Sequence, residues 1–244
     1  MTELIKWSYF GTLIIYFIQS IVAPRSSLYL IIVTIAIFLH GFFFFGWSII
    51  PFLLVTGIVS TISELISLKT SLNVFGVSYS YNLTSGYFRS RIVIGGAYPM
   101  EIAVAWILFM YISFFLVSLL CASFGVHGIL KAVFSALALV SFDILIDPVA
   151  VQRGAWKWNK AGFFFGIPWR NFFGWILIGF VISLIFVNLT PNISNDSLMT
   201  VPVLILWALF PIIFGRILFQ RNKILGFLAT LPLSIFFLFG LRLL

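Results

Sequence analysis

Long apolar runs separated by short polar interruptions fill this chain. Runs such as Ile176–Val187 and Leu225–Leu241 are apolar on every face of a helix, whereas the strands of a membrane barrel alternate between apolar and polar residues. Crossing the hydrocarbon takes about 20 apolar residues as a helix, and lipid allows only helices or closed barrels. The pattern therefore predicts an all-α, polytopic membrane bundle.

Eight such runs are long enough to span a membrane, and they leave no obvious linker between domains. We therefore predict about eight transmembrane helices in a single integral-membrane domain, residues 1–244. The predicted spans are Leu4–Val22, Leu28–Phe45, Ser48–Leu68, Met100–Ala122, Gly128–Ile146, Phe172–Leu189, Val201–Phe219 and Ile224–Leu241.

Composition supports this class of protein. The chain is 62% hydrophobic and 8% charged, with a mean hydropathy of +1.20, which excludes an ordinary soluble domain. A lone cysteine, Cys121, excludes an intramolecular disulfide and a cysteine metal cluster. The net charge of +8 is attributed to cytoplasmic loops rather than to nucleic acid, because no nucleic-acid-binding motif is visible.

The basic residues predict the orientation of the bundle. With eight spans, eleven of the fourteen Lys and Arg residues fall on one side, as the positive-inside rule expects of the cytoplasm. Both termini are then exterior, and the long loops Lys69–Pro99 and Asp147–Asn171 are cytoplasmic. The eleven residues are Arg25, Lys69, Arg89, Arg91, Arg153, Lys157, Lys160, Arg170, Arg216, Arg221 and Lys223.

Four of the six acidic residues collect near the predicted cytoplasmic ends of helices: Glu64, Glu101, Asp143 and Asp147. Ionisable residues in a span usually face the bundle interior or a wet cavity. One interpretation is a set of interfacial salt bridges with nearby Lys and Arg. The clustering of all four on one side favours a functional site.

The two aspartates are four residues apart and share one helix face. We predict that Pro148 ends their helix, which places both carboxyl groups near a C-terminus where the helix dipole disfavours negative charge. Repulsion and desolvation act in the same direction. Glu101 instead opens a helix, where the dipole favours the anion. The pattern suggests an acid that gives a proton and an anion that accepts one or stabilises a cation.

Aromatic residues accompany these carboxyl groups. Tyr79 and Tyr81 lie in the first cytoplasmic loop, and Trp156 and Trp158 in the second. Such residues form interfacial belts, which is our interpretation of Trp169 and Trp175. The alternating Tyr and Trp pairs are better explained as the wall of a site, because aromatic faces stabilise cations.

The sequence lacks residues that several classes of membrane protein require. The two histidines, His40 and His127, are far apart, which argues against di-iron desaturases and haem proteins and favours packed or interfacial histidines. The spacing Asp143-x-x-x-Asp147 is similar to that of intramembrane prenyltransferases, whose aspartates hold magnesium-diphosphate. Those enzymes need a second Asp-rich motif, which no other segment supplies.

Together the motifs resemble the membrane-integral carotenoid hydratases, over about Glu64 to Trp175. Glu64 and the segment Phe75-Gly76-x-x-Tyr79-x-Tyr81 support the resemblance. Its strongest part is Asp143-x-x-x-Asp147-Pro148, Trp156-x-Trp158 and Gly166-Ile167-Pro168-x-x-Asn171-Phe172-x-Gly174-Trp175.

This resemblance implies hydration of the terminal double bond of an acyclic carotenoid, such as bisanhydrobacterioruberin or lycopene. Protonation gives a tertiary carbocation and water adds to it, with no metal, nucleotide or flavin cofactor. The implied partners are the carotenoid, water and the lipid bilayer, and both a homo-oligomer and association with other carotenoid enzymes stay open. The implied location is the cell membrane, with the site on the cytoplasmic side.

The residues suggest a division of roles within this scheme. Asp143 or Asp147 would donate the proton, and Glu101 or Glu64 would position water and accept its proton. Asn171 would hold the water or cap a helix. The aromatic pairs would shape the site.

Two alternatives remain open at this stage. A carotenoid end-group cyclase would form the same cation and quench it by ring closure. A non-enzymatic carotenoid- or lipid-binding membrane protein or transporter would retain the substrate unchanged.

Overall fold

The computed structural model describes residues 1–23, 26–70, 72–90, 92–187, 193 and 195–244. Within them, eight α-helices form the bundle: α1 Thr2–Val22, α2 Leu28–Phe45, α3 Ile49–Lys69, α4 Met100–Phe124, α5 Ile129–Gln152, α6 Trp169–Phe186, α7 Ser197–Arg221 and α8 Lys223–Gly240. Four short strands lie in the loops: β1 Tyr79–Tyr81, β2 Val93–Ile94, β3 Tyr98–Pro99 and β4 Trp156–Trp158.

The helices confirm the predicted class of fold. Among the described residues, seven stretches are long and apolar enough to cross a membrane, and Leu28–Lys69 counts as one of them. A 3-10 turn at Gly46–Ser48 divides that stretch into α2 and α3, where Gly46 adopts a φ of 56° that favours glycine. The prediction of about eight helices is therefore close.

The end of α5 differs from the prediction. The helix continues through Pro148 to Gln152, so the expectation that proline ends it is wrong. Proline removes one backbone donor, but α5 packs against α4, α6, α7 and α8, and Arg221 donates to the Pro148 carbonyl at 3.4 Å. Asp147 therefore lies inside the helix, and the argument from the helix dipole loses force for both aspartates.

Helix α4 forms the centre of the bundle. Every residue from Phe109 to Cys121 is buried, as expected of a helix that is apolar all round. His40 on α2 packs against it, with Nδ1 2.5 Å from the Tyr111 hydroxyl and Nε2 2.9 Å from the Met199 carbonyl. By contrast, α1 is peripheral and presents mostly exposed apolar side chains, which suits a surface in lipid.

The bundle has two distinct ends. At the termini end, Lys6 of α1 pairs with Asp196 at 2.7 Å, and Asn195 donates to the Leu243 carbonyl. The long loops after α3 and α5 meet at the opposite, loop end. The assignment of these ends to the exterior and the cytoplasm stays a prediction, and two of its basic residues, Arg25 and Arg91, lie outside the described residues, as does Leu189 at the predicted end of the sixth span.

Candidate functional site

The two long loops are joined by a small antiparallel ribbon. Strands β1 and β4 pair with Tyr79 opposite Trp158, Ser80 opposite Lys157, and Tyr81 opposite Trp156. Paired residues in such a ladder project to the same face, and successive residues alternate. The four aromatic side chains therefore share one face, with the Tyr79 and Trp158 ring centroids 4.8 Å apart.

Glycine lets the first loop lie directly on α6. A Cβ atom added to Gly174 would lie 2.7 Å from the Phe75 ring and 3.0 Å from the Val74 carbonyl oxygen. Gly76 has a φ of +74°, and a Cβ there would lie 2.3 Å from the Cβ of Arg170. These close approaches set the β1–β4 ribbon over the beginning of α6.

Asp143 and Asp147 face α6 and share one partner. The Asn171 amide Nδ2 donates to Oδ2 of Asp143 at 2.9 Å and to Oδ2 of Asp147 at 2.8 Å. One amide nitrogen therefore holds the two carboxyl groups close together. Repulsion between two anions at that distance favours a proton on one of the pair. Asn171 lies inside α6, whose N-cap is Pro168, so it does not cap the helix.

Glu64 of α3 accepts three hydrogen bonds from neutral donors. The hydroxyl groups of Tyr79 and Tyr81 both donate to Oε2, the second at 3.0 Å, and Trp106 Nε1 donates to Oε1 at 3.0 Å. Burial, and then the charge of Glu64, holds the pKa of both tyrosine hydroxyls well above the ordinary value. The two phenols therefore stay protonated as donors to this carboxyl group.

These groups meet around one cavity of about 50 Å³, which is large enough for water. Its four polar side chains are Glu64, Asp143, Asp147 and Asn171, and each is at most 4% exposed. The rest of the wall is apolar or aromatic: Phe75, Tyr79, Tyr81, Ile102, Ala105, Phe109, Ile146, Trp156, Trp158 and Trp175. Eight of the nine predicted site residues therefore lie together, although they come from α3, α5, α6 and both loops.

Glu101, the ninth predicted site residue, lies elsewhere. Its carboxylate accepts from the backbone N–H of Ser90 and from the Ser90 hydroxyl at 3.1 Å. It does not line the cavity. The structure thus places Glu101 as an anchor for the first loop at the start of α4.

The prediction did not foresee a tryptophan stack behind the cavity. Trp106 of α4 and Trp175 of α6 lie parallel, with ring centroids 3.7 Å apart and an interplanar angle of 10°. Trp175 lines the cavity, so the interpretation of this residue as part of an interfacial belt is wrong. Trp169, by contrast, is 51% exposed. Sequence shows that both positions are tryptophan, but only tertiary packing distinguishes them.

No group of three or more His, Cys, Asp or Glu side chains in the described part of the chain could hold a metal ion. The donors to the three buried carboxyl groups are an asparagine, two tyrosines and a tryptophan. The site is thus a buried set of carboxyl groups with neutral partners and an aromatic wall. Such an arrangement can hold a proton and stabilise a positive charge.

Fold and site together define a multi-pass membrane protein with a buried cluster of carboxyl groups, called the acid site below, at one end of its helical bundle. Residues 25–239 match the family model described as carotenoid biosynthesis protein. The chain belongs to that family.

A relative from Haloarcula japonica (strain ATCC 49778), named bisanhydrobacterioruberin hydratase, is 29% identical over 91 residues. The matched segment covers 37% of this chain and 31% of that protein. No solved structure matches the chain significantly.

Proposed function

We propose that this protein hydrates the terminal carbon–carbon double bond of an acyclic carotenoid. The observation that carries the proposal is the pair Asp143 and Asp147, which share Asn171 in a cavity with an aromatic wall. Membership of the carotenoid biosynthesis family and the similarity to a protein named as a hydratase support the same reaction.

The aspartate pair supplies the acid. A proton held between two carboxyl groups passes to the less substituted carbon of the terminal alkene. The O–H bond of the acid breaks, a C–H bond forms, and the positive charge moves to the tertiary carbon. Asn171 donates to both carboxyl groups, so it can hold their geometry before and after the transfer.

Aromatic rings and Glu64 stabilise the carbocation. Rings attract a cation through their faces, and seven aromatic side chains line the cavity. Glu64 adds a negative charge held in place by three donors, which are already oriented when the cation forms.

Water completes the reaction by adding its oxygen to the tertiary carbon. Trp158 Nε1 is buried, and no acceptor for it is found among the described residues, so it can donate to water in the cavity that its ring lines. Glu64 accepts a proton from the added water and returns it to the aspartate pair. The sum is one water added to one double bond, with no net change in the enzyme.

The location of the site fits an apolar substrate. A carotenoid dissolves in the bilayer, and the buried carboxyl groups lie at the loop end of a bundle whose spans are mostly apolar. We propose that the whole chain acts as one membrane domain with the loop end facing the cytoplasm. Bisanhydrobacterioruberin and lycopene are the proposed substrates.

The proposal is tested by producing the protein in cells that accumulate either pigment and measuring the mass of the products. Hydration adds one water per reacted end. A cyclase would leave the mass unchanged while shifting the retention time, and a binding protein would leave the pigment unaltered. Unchanged pigments in both hosts, with the protein inserted in the membrane, would refute the hydratase.

A matched pair of variants assigns any activity to the cavity. Asp143→Asn removes an acid from the site, whereas Asp196→Asn makes the same substitution at the termini end. We expect only the first to abolish the mass increase.

A further inference from the structure

A second cavity, separate from the acid site, lies between α1, α2 and the first loop at the loop end. This polar cleft has a volume of about 570 Å³. It is lined by Arg89 of the first loop and Arg153 after α5, and by hydroxyl groups that include those of Tyr16, Tyr29 and Tyr87. Two guanidinium groups with surrounding hydroxyls are suited to bind a phosphate.

The charges around the cleft favour an anion. The Arg89 guanidinium lies 5.8 Å from the centroid of the Tyr29 ring, and the nearby Glu101 carboxylate is bound to Ser90 rather than lining the cleft. Among the described residues, no carboxylate is in ion-pair contact with Arg153. The cleft therefore presents a net positive charge to a ligand.

An apolar groove of about 310 Å³ adjoins this cleft. The two cavities meet at Tyr16 of α1, which lines both. Along α2, Tyr29 lines the cleft, and Ile32, Val33 and Ala36 line the groove, so their spacing places them along one face of the helix. The cleft and the groove, together called the furrow, therefore place a cationic site next to an apolar one.

The length of the furrow indicates what kind of chain it holds. From Tyr29 to His40, α2 rises about 16 Å at 1.5 Å per residue. Half of a hydrocarbon core of about 30 Å is about 15 Å. The length of the furrow therefore matches the thickness of one leaflet, which is the depth that a lipid acyl chain occupies. An extended polyene that crosses both leaflets is longer.

We propose that this furrow binds an anionic phospholipid, with its phosphate between Arg89 and Arg153 and one acyl chain in the groove that α1 and α2 form with α4 and α7. Basic pockets between membrane helices are established sites for anionic head groups in general. Such a lipid would hold peripheral α1 and α2 against the first loop. This inference does not depend on the reaction proposed above.

Native mass spectrometry of the full-length protein in detergent tests the proposal, with phosphatidylglycerol and phosphatidylcholine of identical acyl chains as probes. We expect the protein to retain phosphatidylglycerol preferentially. Arg153→Gln should weaken that binding about tenfold, because a charge-assisted contact to phosphate is lost. Lys160→Gln, which removes an exposed charge outside the cleft, should leave it unchanged. Arg89→Gln serves if the first variant does not fold.

A second variant tests acyl-chain binding in the groove separately from head-group binding in the cleft. Ala36→Phe fills the groove and should weaken lipid binding, while competition by inorganic phosphate at the cleft should stay as in wild type. Equal retention of the two lipids, wild-type lipid binding by Arg153→Gln, or inorganic phosphate binding as tightly as the lipid would each overturn the proposal. So would loss of carotenoid binding by Ala36→Phe with phosphatidylglycerol binding intact, because the groove would then belong to the polyene.

Discussion

The two ends of the bundle treat their carboxyl groups in opposite ways. At the termini end, Asp196 pairs with Lys6 at 2.7 Å and caps α7 by accepting from the Met199 N–H at 3.1 Å. At the loop end, Glu64, Asp143 and Asp147 are buried and accept hydrogen bonds from neutral side chains. Basic residues are abundant near that end, yet the side chains that donate hydrogen bonds to these three carboxyl groups are uncharged.

This difference separates a carboxylate that stabilises the fold from the carboxyl groups that we propose to be catalytic. An ion pair holds a carboxylate in its charged form and leaves it a poor acid. Neutral donors fix the position of a carboxyl group without determining its charge so strongly, which leaves it free to give or take a proton. The loop end therefore has the arrangement required for acid–base chemistry, and the termini end has the arrangement required for a stable helix start.

The largest effect is expected from the aspartate pair. Asp143→Asn and Asp147→Asn each remove one of the two carboxyl groups but keep a polar side chain of similar size. We expect each to lower carotenoid hydration by about 10²–10⁴-fold, the usual contribution of general acid catalysis. Product quantification against membrane protein level measures this. Full activity in both variants at normal expression would show that the acid lies elsewhere.

Glu64 and Glu101 provide the next comparison. Glu64→Gln removes a negative charge from the cavity, whereas Glu101→Gln changes a loop anchor outside it. We expect Glu64→Gln to reduce turnover at least about tenfold more than Glu101→Gln, with Glu101→Gln acting mainly on stability. Parallel measurements of turnover and thermal unfolding test this, and the reverse order in turnover would place the base at the start of α4.

Replacing the tyrosine donors should have a smaller effect. Tyr79→Phe or Tyr81→Phe removes one of three hydrogen bonds to Glu64, and we expect losses of about tenfold for each.

Their raised pKa also predicts a pH dependence. The stabilisation from the protonated hydroxyls is fully present below the unfolded tyrosine pKa of about 10 and is lost as pH rises through the higher folded pKa. Ultraviolet titration should show the two phenols ionising after exposed tyrosines, and normal ionisation in the folded protein would contradict the burial of the ribbon.

The smallest effect is expected at the termini end. Lys6→Met should leave hydration unchanged and lower thermal stability only slightly, because ion pairs near the protein surface contribute little. The hydrogen bond from Lys6 holds the Asp196 pKa below its usual value, so the contribution of the pair is present above the unfolded aspartate pKa of about 3.9 and is lost as pH falls through the lower folded pKa. Unfolding measured at neutral and acidic pH should converge for wild type and variant under acid conditions. A loss of hydration in Lys6→Met would break the separation between the two ends.

Much of the fold was predictable because long apolar runs leave few alternatives in lipid. The grouping of Asp143 with Asp147 followed from helical spacing, and the alternating Tyr and Trp pairs indicated a shared face. The pairing of those two loops, the position of Trp175 and the neutral partners of Glu64 could not be predicted, since each depends on which helices meet. Glu101 shows the limit most clearly: it lies near the other carboxyl groups in the sequence pattern, but Ser90 binds it away from the cavity.

Pro148 shows a second limit. Proline in a chain segment usually marks a boundary, yet α5 continues past it while packed against four other helices. That packing depends on tertiary structure, which the local rule does not include.

The strand register carries a consequence for how this family can change its loops. Because successive side chains in β1 and β4 point to opposite faces, deleting Ser80 would make Tyr79 and Tyr81 consecutive and turn one of the two rings away from Glu64. We expect insertions and deletions outside the strands to be tolerated. A change in the number of residues between the two aromatic residues of one strand should not be tolerated. The parity of two three-residue strands is therefore a heritable constraint on the acid site, and a change of one codon there should be more damaging than a longer insertion a few residues away.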